Sequence, residues 1–221
     1  YDSALVWNAG DVSALAGRGY VLVQRGRYNR AITDFRSALR IDPRSQDALR
    51  FMGLAYADKG DRTGADRAFE QAIAADPKDP WPYMIRAIAE ARDGDRDRAL
   101  ADVARAVSIT GSQSSDALLV RGAVYYFLGE FEKARSEMET ALRINPENGQ
   151  AHSTLARLQI RTGRLDEAQR SQDAAARLLP NEPTVLLQQG LIALARKDYG
   201  RAITELLGVV EGCVNRDDVR P

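Results

Sequence analysis

The feature that most restricts the fold of this chain is one helix ending that returns at a nearly constant interval. Residues 38–43 read ALRIDP, 72–77 AIAADP, 141–146 ALRINP and 175–180 AARLLP. Each time an apolar, amphipathic run meets a proline that cannot continue it, because proline has no N–H to donate, its ring clashes with the preceding turn, and the residue before it is pushed toward extended backbone. The closing residues are Pro43, Pro77, Pro146 and Pro180; 77 − 43 and 180 − 146 are both 34, and 146 − 77 is 69, or 34 plus 35. One ending is therefore missing near residue 111, where Gly111 stands. A period of roughly 20 to 50 residues marks a repeat architecture, in which each unit buries its apolar face against its neighbours.

With the proline set at position 32 of a 34-residue block, blocks begin at Val12, Gln46, Pro80, Ser115, Gly149 and Pro183. Position 8 then reads Gly19, Gly53, Ala87, Gly122, Ala156 and Gly190; position 20 is Ala31, Ala65, Ala99, Ala134, Ala168 and Ala202; position 27 is Ala38, Ala72, Ala106, Ala141, Ala175 and Val209. Small residues at such spacings let two antiparallel helices approach closely. Position 15 is glycine in five blocks, Gly26 to Gly163, where one helix must end in a left-handed turn. Each block thus predicts helix, turn, helix, with larger residues such as Leu15, Leu22, Tyr28 and Phe35 turned inward. Two blocks depart: the third has Gly111 for the proline and one extra residue before Ser115, and the sixth has Lys197 for the turn glycine and Val214 for the proline.

This pattern resembles the tetratricopeptide repeat, a helical hairpin of 34 residues with small residues at these columns and a closing proline. The resemblance implies an all-α fold, a right-handed superhelical α-solenoid of stacked helix-turn-helix hairpins. It divides the chain into six repeats, at 12–45, 46–79, 80–114, 115–148, 149–182 and 183–214. Counting back from Val12 places Tyr1 and Ala4 at columns held by Phe35 and Ala38 in the first block, so residues 1–11 read as the remnant of a preceding repeat helix and the sequence as part of a longer protein. Residues 215–221 read as a polar tail. The face formed by Ile203, Leu206, Leu207 and Val210 has no capping helix in the sequence, which points to continuation of the array or to a homo-oligomer through terminal repeats.

Composition excludes several other classes. Of 221 residues 44% are hydrophobic and 28% charged, the make-up of a folded chain rather than a disordered one. Formal net charge is zero, and cutting after Thr110 leaves 17 basic and 16 acidic residues on one side and 14 and 15 on the other. No basic stripe invites phosphate, so no nucleic-acid partner is expected. Cys213 is the one cysteine, so no internal disulfide can form. No apolar run reaches the roughly 18 residues of a membrane span and this segment shows no signal peptide, leaving cytoplasm and periplasm both open. Arginine outnumbers lysine 27 to 4, which suggests a GC-rich bacterial genome.

Catalytic, cofactor and metal signals are absent from the sequence. His152, the one histidine, occupies a column filled by Leu15, Leu49, Tyr83, Leu118 and Leu186 elsewhere, which suits packing better than proton transfer. The stretch DGDRDR from Asp93 is spelled like the start of a calcium loop, but the required glycine and glutamate at its sixth and twelfth places are Arg98 and Ala104. No phosphate-cradling glycine loop or nucleophile elbow is present. A non-catalytic chain without cofactor is therefore expected.

The resemblance further implies a concave groove lined by positions 2, 5, 9, 12 and 13 of the first helices. These are Trp81, Met84, Ile88 and Arg92 in the third block, Leu119, Tyr126 and Phe127 among those of the fourth, and Arg157 and Arg161 among those of the fifth. The aromatic side chains suit a surface with anchors, and the arginines suit an acidic group on a protein or peptide partner. The lysine–asparagine clamp by which some members of the family grip acidic chaperone tails is missing: the first two blocks offer Ala16 and Tyr20, then Arg50, Phe51 and Leu54. The expected function is a protein–protein interaction scaffold; the alternatives are an accessory or regulatory region of a larger enzyme or secretion-related protein, and a self-assembling architectural repeat.

Overall fold

The computed structural model describes residues 1, 3, 5, 8–112, 114–180 and 182–214. Ala4 and Trp7 of the expected leading helix and the expected tail 215–221 lie outside the described residues, as do the side chains of Val210 and Cys213. The described residues form twelve α-helices and no strand: α1 Val12–Gln24, α2 Tyr28–Ile41, α3 Gln46–Lys59, α4 Arg62–Ala75, α5 Trp81–Arg92, α6 Arg96–Thr110, α7 Ser115–Phe127, α8 Phe131–Ile144, α9 Gly149–Arg161, α10 Leu165–Leu178, α11 Pro183–Ala195 and α12 Tyr199–Val214. Each odd-numbered helix pairs with the even-numbered one after it as an antiparallel hairpin.

The recurring Asp-Pro and Asn-Pro phrases act as stop, turn and restart in one. Asp42, Asp76 and Asn145 have extended backbone at the ends of α2, α4 and α8. Their side-chain oxygens accept from the N–H two residues on, at 3.0 Å from Arg44, 2.9 Å from Lys78 and 3.1 Å from Glu147, closing an Asx turn around the proline. In two of these links the next helix follows at once under a side-chain N-cap, Ser45 before α3 and Asn148 before α9. Gly111 lacks proline's block, and α6 accordingly runs to 15 residues before that glycine stops it at φ 88°.

Within a hairpin the helix axes close on small residues. Gly53 faces the Phe69 ring, which a Cβ at that glycine would meet at 2.6 Å. Ala31, Ala38, Ala72, Ala99, Ala141, Ala168 and Ala175 are wholly or almost wholly buried. An arginine on the first helix also grips a carboxylate on the second, sixteen residues later: Arg18 with Asp34, Arg86 with Asp102, Arg121 with Glu137. The first two pairs are two-point fork contacts.

The helices form two compact units, Tyr1–Ser112 and Gln113–Pro221. In the first, α3 packs on both α1 and α2, and α5 on both α3 and α4. In the second, α9 packs on α7 and α8, and α11 on α9 and α10. Leu206 on α12 fills the gap above Gly190, so it belongs to the last hairpin's interior rather than to the bare face expected for it. Tyr199, Ile203 and Leu207 do form an exposed row on that helix. No described helix is long and apolar enough to cross a membrane.

Candidate functional site

The first helices of the hairpins carry the predicted groove residues, and the two units hold them in separate clusters. In the first unit Trp81 opens α5 and is 44% exposed. The Arg50 guanidinium from α3 lies 5.7 Å from its ring and 4.9 Å from the Phe51 ring, and Phe51 packs at 4.5 Å against Tyr20 of α1. Asp47 pairs with Arg50 at 2.5 Å and satisfies much of its charge. Tyr20, Arg50 and Phe51 are missing from the groove residues that the sequence columns single out, because those columns bear there only on the chaperone-tail clamp; alignment of aromatic residues in three consecutive first helices is the signal for them.

Two third-block expectations need correction. Met84 is 2% exposed and belongs to the core, so it offers a ligand nothing. Arg92 reaches back to Asp58 of α3 at 2.6 Å and ties neighbouring hairpins together, which leaves little of its charge for a partner. Ile88 is half-buried.

The second unit brings four of the predicted residues into one cluster. Phe127, 38% exposed, meets Tyr126 edge-on with ring centres 5.4 Å apart. Tyr126 leans on Phe131 at 6.0 Å and, with Leu119, rests on the core beneath. From α9 the Arg157 guanidinium lies 4.6 Å from the Tyr126 ring centre and 5.6 Å from that of Phe127. One turn on, Arg161 lies 5.7 Å from the Phe131 ring. Burial lowers the pKa of Arg157, partly offset by Tyr126, but a guanidinium remains cationic at neutral pH. Its Nε is buried with no hydrogen-bond partner, and among the described residues neither Arg157 nor Arg161 has a carboxylate partner. The surrounding arginines do: Arg121 with Glu137, Arg164 with Glu132, Arg196 with Asp166.

A third cluster, in the first unit, is ionic. Arg86 and Arg98 serve three carboxylates: Arg86 holds Asp102 at 2.6 Å, while Arg98 lies 3.0 Å from both Asp66 and Glu90. Glu90 is pushed up to about 7 chiefly by burial, helped by the charge of Asp102 and opposed by Arg98 and Arg86. It lines a cavity of about 80 Å³ with Arg62, Asp66 and Asp93, space for two or three waters at about 30 Å³ each. The network joins α4, α5 and α6. His152 donates from Nε2 to the Pro146 carbonyl at 2.9 Å and so braces the link into α9. Asp95, in the calcium-like stretch, caps α6 and pairs with Arg62 at 2.6 Å. Among the described residues no group of three or more His, Cys, Asp or Glu side chains is arranged to hold a metal.

Models of the tetratricopeptide repeat match residues 19–60, 52–117, 85–149 and 128–193. The human tetratricopeptide repeat protein 34 is 30% identical over 145 residues, 56% of this chain; the chain spans about a quarter of that relative, 26% of its length. Among solved structures, a thermophilic repeat protein of Thermus thermophilus superposes with a TM-score of 0.67 at 26% identity, covering 83% of this chain and 98% of the other. PilF of Pseudomonas aeruginosa superposes with 0.56 at 21% identity, covering 90% of each, a likeness of fold. Matched along its length by these repeat models and built of paired helices throughout the described residues, the chain belongs to the tetratricopeptide repeat family.

Proposed function

We propose that this chain is a non-catalytic scaffold, divided into the six repeats read from its sequence, that holds a segment of a protein partner on its first helices. The observation that carries this reading is the cluster of Arg157, Tyr126 and Phe127: a cation laid on two rings, one of them exposed, with no acidic partner among the described residues. Exposed aromatic residues flanked by arginine are enriched where interfaces concentrate their energy. In the first unit Trp81 beside Arg50 supports the same reading with a charge already half satisfied. Family membership favours it as well, since tetratricopeptide proteins bind protein partners.

A peptide array probed with the parent and with the Trp81→Ala, Tyr126→Ala, Phe127→Ala triple variant tests it. The variant, shown folded by circular dichroism, is expected to lose about 2 kcal/mol or more toward its best ligands. Equal affinities for the same peptides would move the function to another surface. A second reading, self-assembly through α12, is favoured by its exposed row of Tyr199, Ile203 and Leu207.

A further inference from the structure

The exposed face of the second unit extends past the residues that sequence columns identified. On α11, Leu187, Leu191 and Leu194 are 42%, 37% and 46% exposed. Their spacing of four and three puts them on one side of the helix. They hold block positions 5, 9 and 12, the register of Arg157 on α9 and Tyr126 on α7. The helix is fastened to α9 on a different side, where the buried Gln188 amide donates to Ser153 Oγ at 3.1 Å. A helix apolar on its free side as well as its packed one is unusual unless that side meets a partner. From α7 through α9 to α11 the face therefore presents two aromatic rings, two arginines without carboxylates, and three leucines.

Resting on the scaffold reading above, we propose that this face takes an extended partner segment with an acidic residue between two apolar anchors: one at Tyr126 and Phe127, the acid at Arg157 and Arg161, the other at the leucines of α11. The rings fix Arg157 in place and one side of its guanidinium is used up against them, so the remaining N–H groups favour the two-point grip that a carboxylate accepts. Leucine at the far end offers area without polarity and admits an aliphatic anchor. Neighbouring helix axes stand roughly 8–10 Å apart, so the two apolar ends are separated by roughly 16–20 Å. An extended chain rising about 3.3 Å per residue crosses that distance in about five or six residues, with the acid near the middle.

The test is fluorescence anisotropy with the whole chain and labelled synthetic peptides carrying Phe, Asp and Leu at this spacing in a Gly/Ser background. Binding is expected to weaken about tenfold or more when the peptide's Asp becomes Asn, an effect of a lost charge-assisted contact. That ratio is expected to collapse toward one in an Arg157→Gln, Arg161→Gln variant. Leu187→Ser with Leu191→Ser is expected to lower affinity while leaving the Asp/Asn ratio unchanged. The Asp/Asn comparison needs no protein variant, and Arg161→Gln alone repeats it without touching Arg157. Equal binding of the Asp and Asn peptides overturns the proposal while the scaffold reading survives, provided the array ligands still depend on the aromatic residues. A second copy as occupant, seen as a dimer that Leu191→Ser dissolves, overturns it as well. If no array peptide binds the parent, both readings fall.

Discussion

Lys197 occupies the turn position that five earlier hairpins give to glycine, and it takes the same backbone: φ is 61° there, against 68° to 85° at Gly26, Gly60, Gly94, Gly129 and Gly163. The hydrogen bonds match too. Lys197 N–H donates to the Leu194 carbonyl at 3.0 Å and Asp198 N–H to Ala193 at 2.9 Å, as Gly60 does to Ala57 and Asp61 to Tyr56. The repeated packing of the hairpin thus overrides the local preference of a side chain for negative φ, a conflict costing roughly 1 kcal/mol. Lys197→Gly is therefore expected to raise stability by up to about 1 kcal/mol, read as a higher denaturant midpoint at unchanged slope, and Gly60→Ala to lower it comparably. A lower midpoint for Lys197→Gly would mean that the lysine side chain contributes more than its backbone costs. Single residues also mark the limit of column reasoning. Met84 shares its column with the groove candidate Leu119 yet is buried, whereas Leu206 stands in the column of Phe35, Phe69, Val103 and Met138, all buried, so its column already marked it as core.

Across elements, the helix endings and small-residue columns were readable because each rests on a backbone requirement: proline stops, asparagine and aspartate turn, alanine lets axes close. The ion pairs were not singled out, although Arg18–Asp34, Arg86–Asp102 and Arg121–Glu137 share one spacing of sixteen, because arginine and acid abound in the chain and only the hairpin shows which ones meet. The same holds for Leu187, Leu191 and Leu194: apolar residues of a helix read as core until packing shows which side is left open. Of these side-chain arrangements the Glu90 network yields a pH dependence. Its carboxyl pKa is raised from about 4.5 to about 7 on folding. The folded state therefore holds the proton more tightly, and the associated stability is complete below about 4.5 and lost as pH climbs through about 7. Thermal unfolding midpoints followed from pH 5 to 8 should decline with rising pH, and Glu90→Gln, which keeps the shape without the ionisation, should flatten that decline and stand above the parent at the alkaline end. An identical slope in both proteins would assign the pH dependence to other groups.

At the scale of the whole molecule, the row Tyr199, Ile203 and Leu207 on α12 is an exposed apolar face among the described residues. Within the first unit α2 and α4 are covered by α3 and α5, and within the second α8 and α10 by α9 and α11. A spacing of four residues puts the three side chains on one stripe, which is the geometry by which one helix meets another. An exposed apolar stripe of this kind is expected to pair with the same stripe of a second copy through a two-fold, self-complementary contact. Light scattering over a concentration series should show the mass rising from monomer toward dimer, and Ile203→Glu with Leu207→Glu should hold it at the monomer by placing like charges face to face. Both positions are exposed, so the double variant should unfold at nearly the parent's denaturant midpoint when both are measured dilute. A parent that stays monomeric at every concentration removes self-assembly through α12 from consideration.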